Sequence, residues 1–123
     1  MNQHWTIRLA ASAEQDYREI LRWTVEHFGR GQAKTYAKTL SIALRDLALG
    51  PSIIGARRRE DIGPGIYALH VARKGRKGRK GRHFVVFRVD STHGNHIIEV
   101  LRLLHDSMDL PRQLPAANEG ESS

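Results

Sequence analysis

Apolar residues recur at helical spacing through residues 13–49 and at strand spacing through residues 66–104. That one change of period limits the chain to an α+β fold with its helices first and its sheet built mainly from the later half. Ala13, Tyr17, Ile20, Leu21, Thr24 and Phe28 form one stripe, and Ala33, Tyr36, Ala37, Leu40, Leu44 and Leu47 form a second. Between them lies His27-Phe28-Gly29, then Arg30 and Gly31. A connection so short between two amphipathic helices predicts an antiparallel helical hairpin whose shared apolar face needs a sheet to cover it. Ser12 is the expected N-cap of the first helix. Gly29 is the expected C-terminal stop, and Gly50-Pro51 ends the second helix.

The strands follow from alternation. His4 to Leu9 puts Trp5, Ile7 and Leu9 on one face. Ile66 to Ala72 does the same with Tyr67, Leu69 and Val71, and His83 to Val89 is dense in β-formers. Ile97 to Leu104 is almost continuously apolar, which predicts a central strand. Pro51 to Gly65 reads as a solvated loop in which Arg57 to Arg59 are offset by Glu60 and Asp61. The predicted order is β-α-α-β-β-β: an antiparallel sheet with the N-terminal helical hairpin on one face, the first strand at an edge or beside the fourth, and the other face left partly exposed to a partner. Residues 1–112 form the domain. Residues 113–123, QLPAANEGESS, have no periodicity and are expected to be a disordered tail.

Charge is distributed unevenly. The chain has 20 Lys and Arg against 13 Asp and Glu. Seven of the cations lie in Arg73 to Arg82, RKGRKGRKGR, and without them the count is 13 against 13. This repeat falls between two strands that pair, so it is the tip of a long hairpin. Arg73, Lys74, Arg76, Lys77, Arg79 and Lys80 are candidates for an electrostatic contact with phosphates or an acidic protein surface. Glycine at every third position argues against a rigid base-reading surface.

Several functional classes have no support in the residues. There is no cysteine, which removes disulfides and thiolate metal sites and is consistent with a reducing cytoplasm. No secretory signal and no apolar run long enough to span a membrane is visible. Walker, dinucleotide and nucleophile-elbow patterns are absent. His93 and His96 are three apart but straddle a turn, so no metal site is expected. His4, His27, His70 and His83 read as surface or strand-edge residues, and Asp106 and Asp109 as turn or capping residues. The stretch VLRLLHDSMDLPRQLP, Val100 to Pro115, is more informative. Alternation groups Arg102 with Ile98, Val100 and Leu104, and an arginine there calls for open solvent or an anion.

Taken in order, these segments resemble the ParE toxins of type II toxin–antitoxin systems, within the RelE/ParE superfamily. The resemblance runs from about Ile7 to Leu114. It is carried by AEQDYREI from Ala13, His27-Phe28-Gly29 before Gln32-Ala33, Leu47 to Pro51, Gly81-Arg82-His83-Phe84, Phe87-Arg88-Val89, Arg102 to His105, and Met108 to Arg112. The chain departs from the family pattern in its longer basic hairpin, as though one RKG unit had been duplicated. The resemblance implies a RelE/ParE-like fold, poisoning of DNA gyrase with arrest of replication, and neutralisation by a ParD-type antitoxin. It implies no cofactor and no catalysis; the charge of the basic hairpin, read from the sequence itself, is expected to allow an indirect DNA contact. Arg82, Arg88, Arg102, His105, Met108 and Asp109 are the residues expected to contact gyrase or the antitoxin.

The rival on the same fold is ribosome-dependent mRNA cleavage of the RelE kind, for which Arg82, Arg88, Arg102 and His105 would be the candidate groups. No tyrosine follows His105, and Met108-Asp109-Leu110-Pro111 resembles the gyrase-poison branch. A plain nucleic-acid-binding module would explain the RKG repeat but not the remaining segments.

Overall fold

A computed structural model describes residues 4–53, 55–72 and 81–114. Most of the RKG repeat (73–80) and the end of the tail therefore lie outside the described residues. In chain order the elements are β1 (Thr6–Leu9), α1 (Ala11–Asp46), β2 (Ala56–Arg58), β3 (Ile66–His70), β4 (His83–Asp90), β5 (Ile97–His105) and α2 (Leu110–Gln113).

The helical span α1 folds back on itself. Trp5 N–H donates to Ala48 O at 2.8 Å, and Ala10 N–H donates to Val100 O at 2.9 Å. Five residues of strand between those donors reach at most about 18 Å. A straight helix from Ala10 to Ala48 would extend roughly 57 Å. The reversal is at Gly29, whose φ of 89° and ψ of 169° leave the helical region. Only glycine adopts that conformation readily. Two arms result, residues 11–28 and 30–46. The turn is tighter than the Arg30-Gly31 connection read from the sequence.

Ser12 is not the N-cap. Ala10 holds that position in extended conformation without a side-chain cap. Its N–H continues the pairing of β1 with β5, so the helix starts immediately where the ladder stops.

The sheet is mixed, in the order β1-β5-β4-β3-β2. β3, β4 and β5 form the expected antiparallel meander, and β5 is indeed internal. β1 sits at one edge, parallel to β5, which corrects the all-antiparallel expectation. The stretch read as loop supplies a further edge strand, β2, antiparallel to β3. Three arginines hid it. An edge strand is held by backbone pairing and tolerates charge. The charge pairing read there does occur: Arg58 meets Glu60 and Arg59 meets Asp61.

β5 carries a bulge. Phe87 pairs with Val100 while Val86 pairs with Arg102, so Leu101 is the extra residue. An inserted residue reverses which side chains share a face. Ile98, Val100 and Leu103 therefore join the main core beneath the helical arms, with Leu40, Leu47, Leu69, Val85 and Phe87. Leu101 and Leu104 point to the other face. That face is partly covered. Ile62, Ile66, Val86, Leu104 and Leu110 form a second small cluster there, flanked by Phe84, Leu101 and Leu114.

Candidate functional site

The polar residues gather where the second helical arm meets the base of the β3–β4 hairpin. Tyr36 comes from that arm, and its hydroxyl lies 2.7 Å from His83 Nδ1. The same oxygen accepts the Arg82 N–H at 3.0 Å. The surroundings of the His83 ring favour its neutral form. Burial first, and then the neighbouring His105, push the His83 pKa from 6.5 down to about 4. Burial likewise raises the Tyr36 phenol. Gly81 makes the approach possible: a Cβ there would collide with Val71 Cγ2 and come within 3.2 Å of the Tyr36 ring.

Asp106 anchors the opposite side. Its N–H donates to Arg82 O at 2.7 Å. Its carboxylate takes His70 Nε2 at 2.9 Å and, at a longer 3.3 Å, Arg82 Nε. His70 Nδ1 accepts from Ala72 N–H at 3.1 Å, which puts the His70 proton on the nitrogen that faces Asp106. The His70 bond, and then Arg82, hold the Asp106 carboxyl below the usual carboxylate range.

Ser107, His105 and Asp106 are close enough to resemble a hydrolytic triad, but the geometry does not make one. Ser107 Oγ is 2.8 Å and Asp106 Oδ1 3.6 Å from the same atom, His105 Nδ1. A proton relay needs the hydroxyl and the carboxylate on different ring nitrogens. The Ser107 N–H also donates to Nδ1, at 3.1 Å, so that nitrogen is an acceptor throughout. Among the described residues, no three His, Asp or Glu side chains are grouped to hold a metal ion.

Tyr36, Gly81, Arg82, His83, His105 and Ser107 form one wall of an open cleft of about 780 Å³. The first helical arm forms the other wall, with Glu19, Ile20, Trp23, Thr24 and Phe28, and Met108 also lines the cleft. Trp23 is 53% exposed and Phe28 62%. Their rings meet edge to face at 5.7 Å, and His27 stacks on Trp23 at 4.1 Å. Phe28 lies on the stripe that the sequence assigned to the core, yet it emerges beside Gly29, beyond the sheet.

A family model described as the ParE toxin of the type II toxin–antitoxin system, parDE, matches residues 7–110. The chain belongs to the ParE toxin family. Toxin ParE1 of Mycobacterium tuberculosis is 32% identical over 106 residues, covering 86% of this chain and 94% of that protein. Among solved structures, a chain of the chromosomal ParDE system from P. aeruginosa superposes with a TM-score of 0.65. It is 18% identical, and 83% of this chain and 96% of that one are covered. A chain of the RelBE2 toxin–antitoxin complex from M. tuberculosis superposes with a TM-score of 0.52 at 21% identity, covering 83% and 98%. At these identities the structural likenesses show the RelE/ParE-like fold.

In this ParE-family chain the residues singled out from sequence go to different places. Arg82, His105 and Met108 share the cleft. Arg102 does not reach it: its guanidinium is bound to Asp16 and to Gln113 O. The anion that the sequence demanded for it is internal. Arg88 pairs with Glu99 directly across the strand, roughly 17 Å along β4 from His83. Asp109 is exposed at the start of α2 beside Arg112. Tyr36, His70, His83 and Asp106 were missed as a group because 70 residues of chain separate the first from the last. Trp23 left a usable signal: a tryptophan off the core stripe, five residues before Phe28.

Proposed function

We propose that this ParE-family toxin inhibits DNA gyrase by protein–protein contact, stalls replication, and is held inactive by a ParD-type antitoxin. The observation that carries the reading is the character of the cleft. Its histidines are engaged in hydrogen bonds: His105 Nδ1 accepts the Ser107 N–H, and His83 Nδ1 is bonded to the Tyr36 hydroxyl. His83 stays neutral down to about pH 4, far from the titration a general acid or base needs near neutrality. The exposed groups are aromatic rings, which suit docking of another protein. Family membership supports the same reading. No helix among the described residues is long and apolar enough to cross a membrane, and we place the site of action with gyrase in the cytoplasm.

One observation favours a second reading. Tyr36, Arg82, His83 and His105 share a cleft, as groups that cleave RNA on the ribosome would. The experiment that separates the two adds purified protein to gyrase with supercoiled plasmid and, in parallel, to ribosomes with mRNA. Accumulation of the cleaved plasmid–gyrase complex is expected. Unaffected gyrase alongside cutting of mRNA in the ribosomal A site overturns the proposal. The RKG repeat contributes electrostatic attraction, so replacing Arg76, Lys77, Arg79 and Lys80 with Ser weakens partner binding more at low salt than at high salt.

A further inference from the structure

We infer that the outward face of the second helical arm is a docking surface for the phosphate backbone of duplex DNA. This face lies apart from the cleft, and its role does not depend on which target the toxin has.

Arg30, Lys34, Lys38 and Arg45 are all exposed. At about 3.6 residues per turn they fall within an arc of about 80°, along a line of roughly 22 Å, with exposed Ser41 among them. The residues that the same arm sends into the core, Leu40 and Ala43, and into the cleft, Gln32 and Tyr36, lie on the opposite side of the helix. The arm has one carboxylate, Asp46, and it is buried. Among the described residues, none of the four cationic side chains takes part in an ion pair or hydrogen bond. The first arm supplies a contrast. Its exposed Glu14, Arg18, Arg22 and Glu26 follow one another at four-residue spacing, two of each sign.

The basic stripe works against the helix that carries it. Arg30 and Lys34 stand in the first two turns of the arm, where the helix dipole disfavours positive charge. Arg30 with Lys34, and Lys34 with Lys38, are like-charge pairs one turn apart, which destabilise a helix. An arrangement that opposes its own helix, with no internal anion to offset it, points to an external one.

Charge complementarity selects a polyanion, and the rest of the face selects DNA. Among the described residues the exposed large apolar side chains all lie outside residues 30–46. The face therefore offers no anchor of the kind a protein partner buries, and no exposed ring on which an unpaired base could stack. Duplex RNA is held largely through its 2′-hydroxyls as well as its phosphates, and Ser41 is the one side chain within the stripe that could accept from them. B-DNA needs neither: its phosphates alone support binding, with one charge per about 1.7 Å of axis. A stripe of roughly 22 Å is shorter than a DNA turn of about 34 Å, so all four cations can reach phosphates on one side of the duplex. Contacts of this kind carry no base sequence information.

The test measures binding of the purified full chain to a short duplex DNA of arbitrary sequence as salt is raised. Lys34→Gln/Lys38→Gln should weaken binding at low salt by about tenfold or more, and should lower the slope of log affinity against log salt concentration by about 2. Arg18→Gln/Arg22→Gln removes the same net charge from the first arm and should leave the slope unchanged. All four positions are exposed and glutamine is a good helix former, so both double variants should fold, which circular dichroism checks. Residues 73–80 are intact in every protein compared, so their charge is constant. Equal losses in the two double variants would reduce the effect to net charge and overturn the surface. An unchanged slope in Lys34→Gln/Lys38→Gln overturns it too. Tighter binding to a duplex RNA of the same sequence, or to polyglutamate, with the same dependence on Lys34 and Lys38, assigns the stripe to RNA or to an acidic protein and overturns DNA.

Discussion

Asp16 on the first helical arm substitutes for a missing strand beside Arg102. β1 pairs with β5 only as far as Val100, so the next N–H on that edge, Leu103, has no strand to bond. Asp16 Oδ2 accepts it at 2.9 Å, and the Arg102 guanidinium grips the same carboxylate at 2.7 and 3.0 Å. Helix, sheet edge and, through Gln113 O, the C-terminal α2 converge on one side chain. Asp16→Asn keeps an acceptor for Leu103 but leaves Arg102 without its anion. It should cost about 2 kcal/mol, read as a lower urea midpoint with unchanged slope. A double-mutant cycle with Arg102→Met should show strong coupling. Additive losses would mean that the pair does not act as a unit.

The helical reversal rests on Gly29, and Gly31 provides an internal control. At Gly29 the backbone is at φ 89° and ψ 169°, and a Cβ would meet nothing within 4 Å. Substitution is therefore penalised by backbone conformation alone. Gly29→Ala should destabilise the domain by about 1–3 kcal/mol. Gly31 lies in the helical second arm, where an added Cβ would likewise meet open space, so Gly31→Ala should raise stability by about 0.5–1 kcal/mol. Opposite signs in thermal unfolding are the expected outcome. Equal effects would mean that the two glycines are conformationally equivalent.

The contrast between what the sequence makes visible and what it hides has a physical basis. Periodicity identifies elements whose apolar faces are buried in one core, which is why both helical arms and β3, β4 and β5 are readable. It fails at β2, where Arg57 and Arg58 join the sheet through backbone pairing and not by burying an apolar face. It fails again at Leu101, where one inserted residue reverses the faces and separates Arg102 from Ile98 and Val100. The cleft is harder still. Tyr36 reads as one more residue of a core stripe, and His83 as one more polar residue at a strand start. Only the packing of the second arm on β4 brings the phenol to the imidazole. Arg82 and His105 were found because they lie in segments that carry the family resemblance.

Acid should weaken the fold through His83. Its pKa is about 4 in the folded chain against an ordinary 6.5, so the unfolded state binds more protons between those values. Stability then rises with pH across that window: the His83 contribution is complete above pH 6.5 and is lost as pH falls towards 4. The ring is partly exposed, so the difference is discounted to about 2 kcal/mol. Asp106, whose carboxyl is held low by His70 and then Arg82, keeps its contribution through this window and loses it only at lower pH. Urea unfolding at about pH 7 and about pH 4.5 should show the loss, and His83→Gln should remove most of it. An unchanged pH slope in that variant would assign the effect to other groups.

Tyr36→Phe isolates the link between the helical hairpin and the β3–β4 hairpin. The ring is kept, so its packing against Gly81 survives, while the Arg82 N–H loses an acceptor and His83 Nδ1 loses its hydroxyl partner. A hydrogen bond donated to a neutral imidazole favours the neutral form. Its removal should raise the His83 pKa from about 4 towards its ordinary value, seen in an NMR titration of the ring proton. Hydrogen exchange at the Arg82 amide should quicken, and global stability should fall by about 1–2 kcal/mol. Exchange at Phe87, in the middle of β4 and fully buried, should quicken only as far as global stability falls. An unmoved His83 titration in the folded variant would mean that burial alone keeps the ring neutral and that Tyr36 is merely packed beside it.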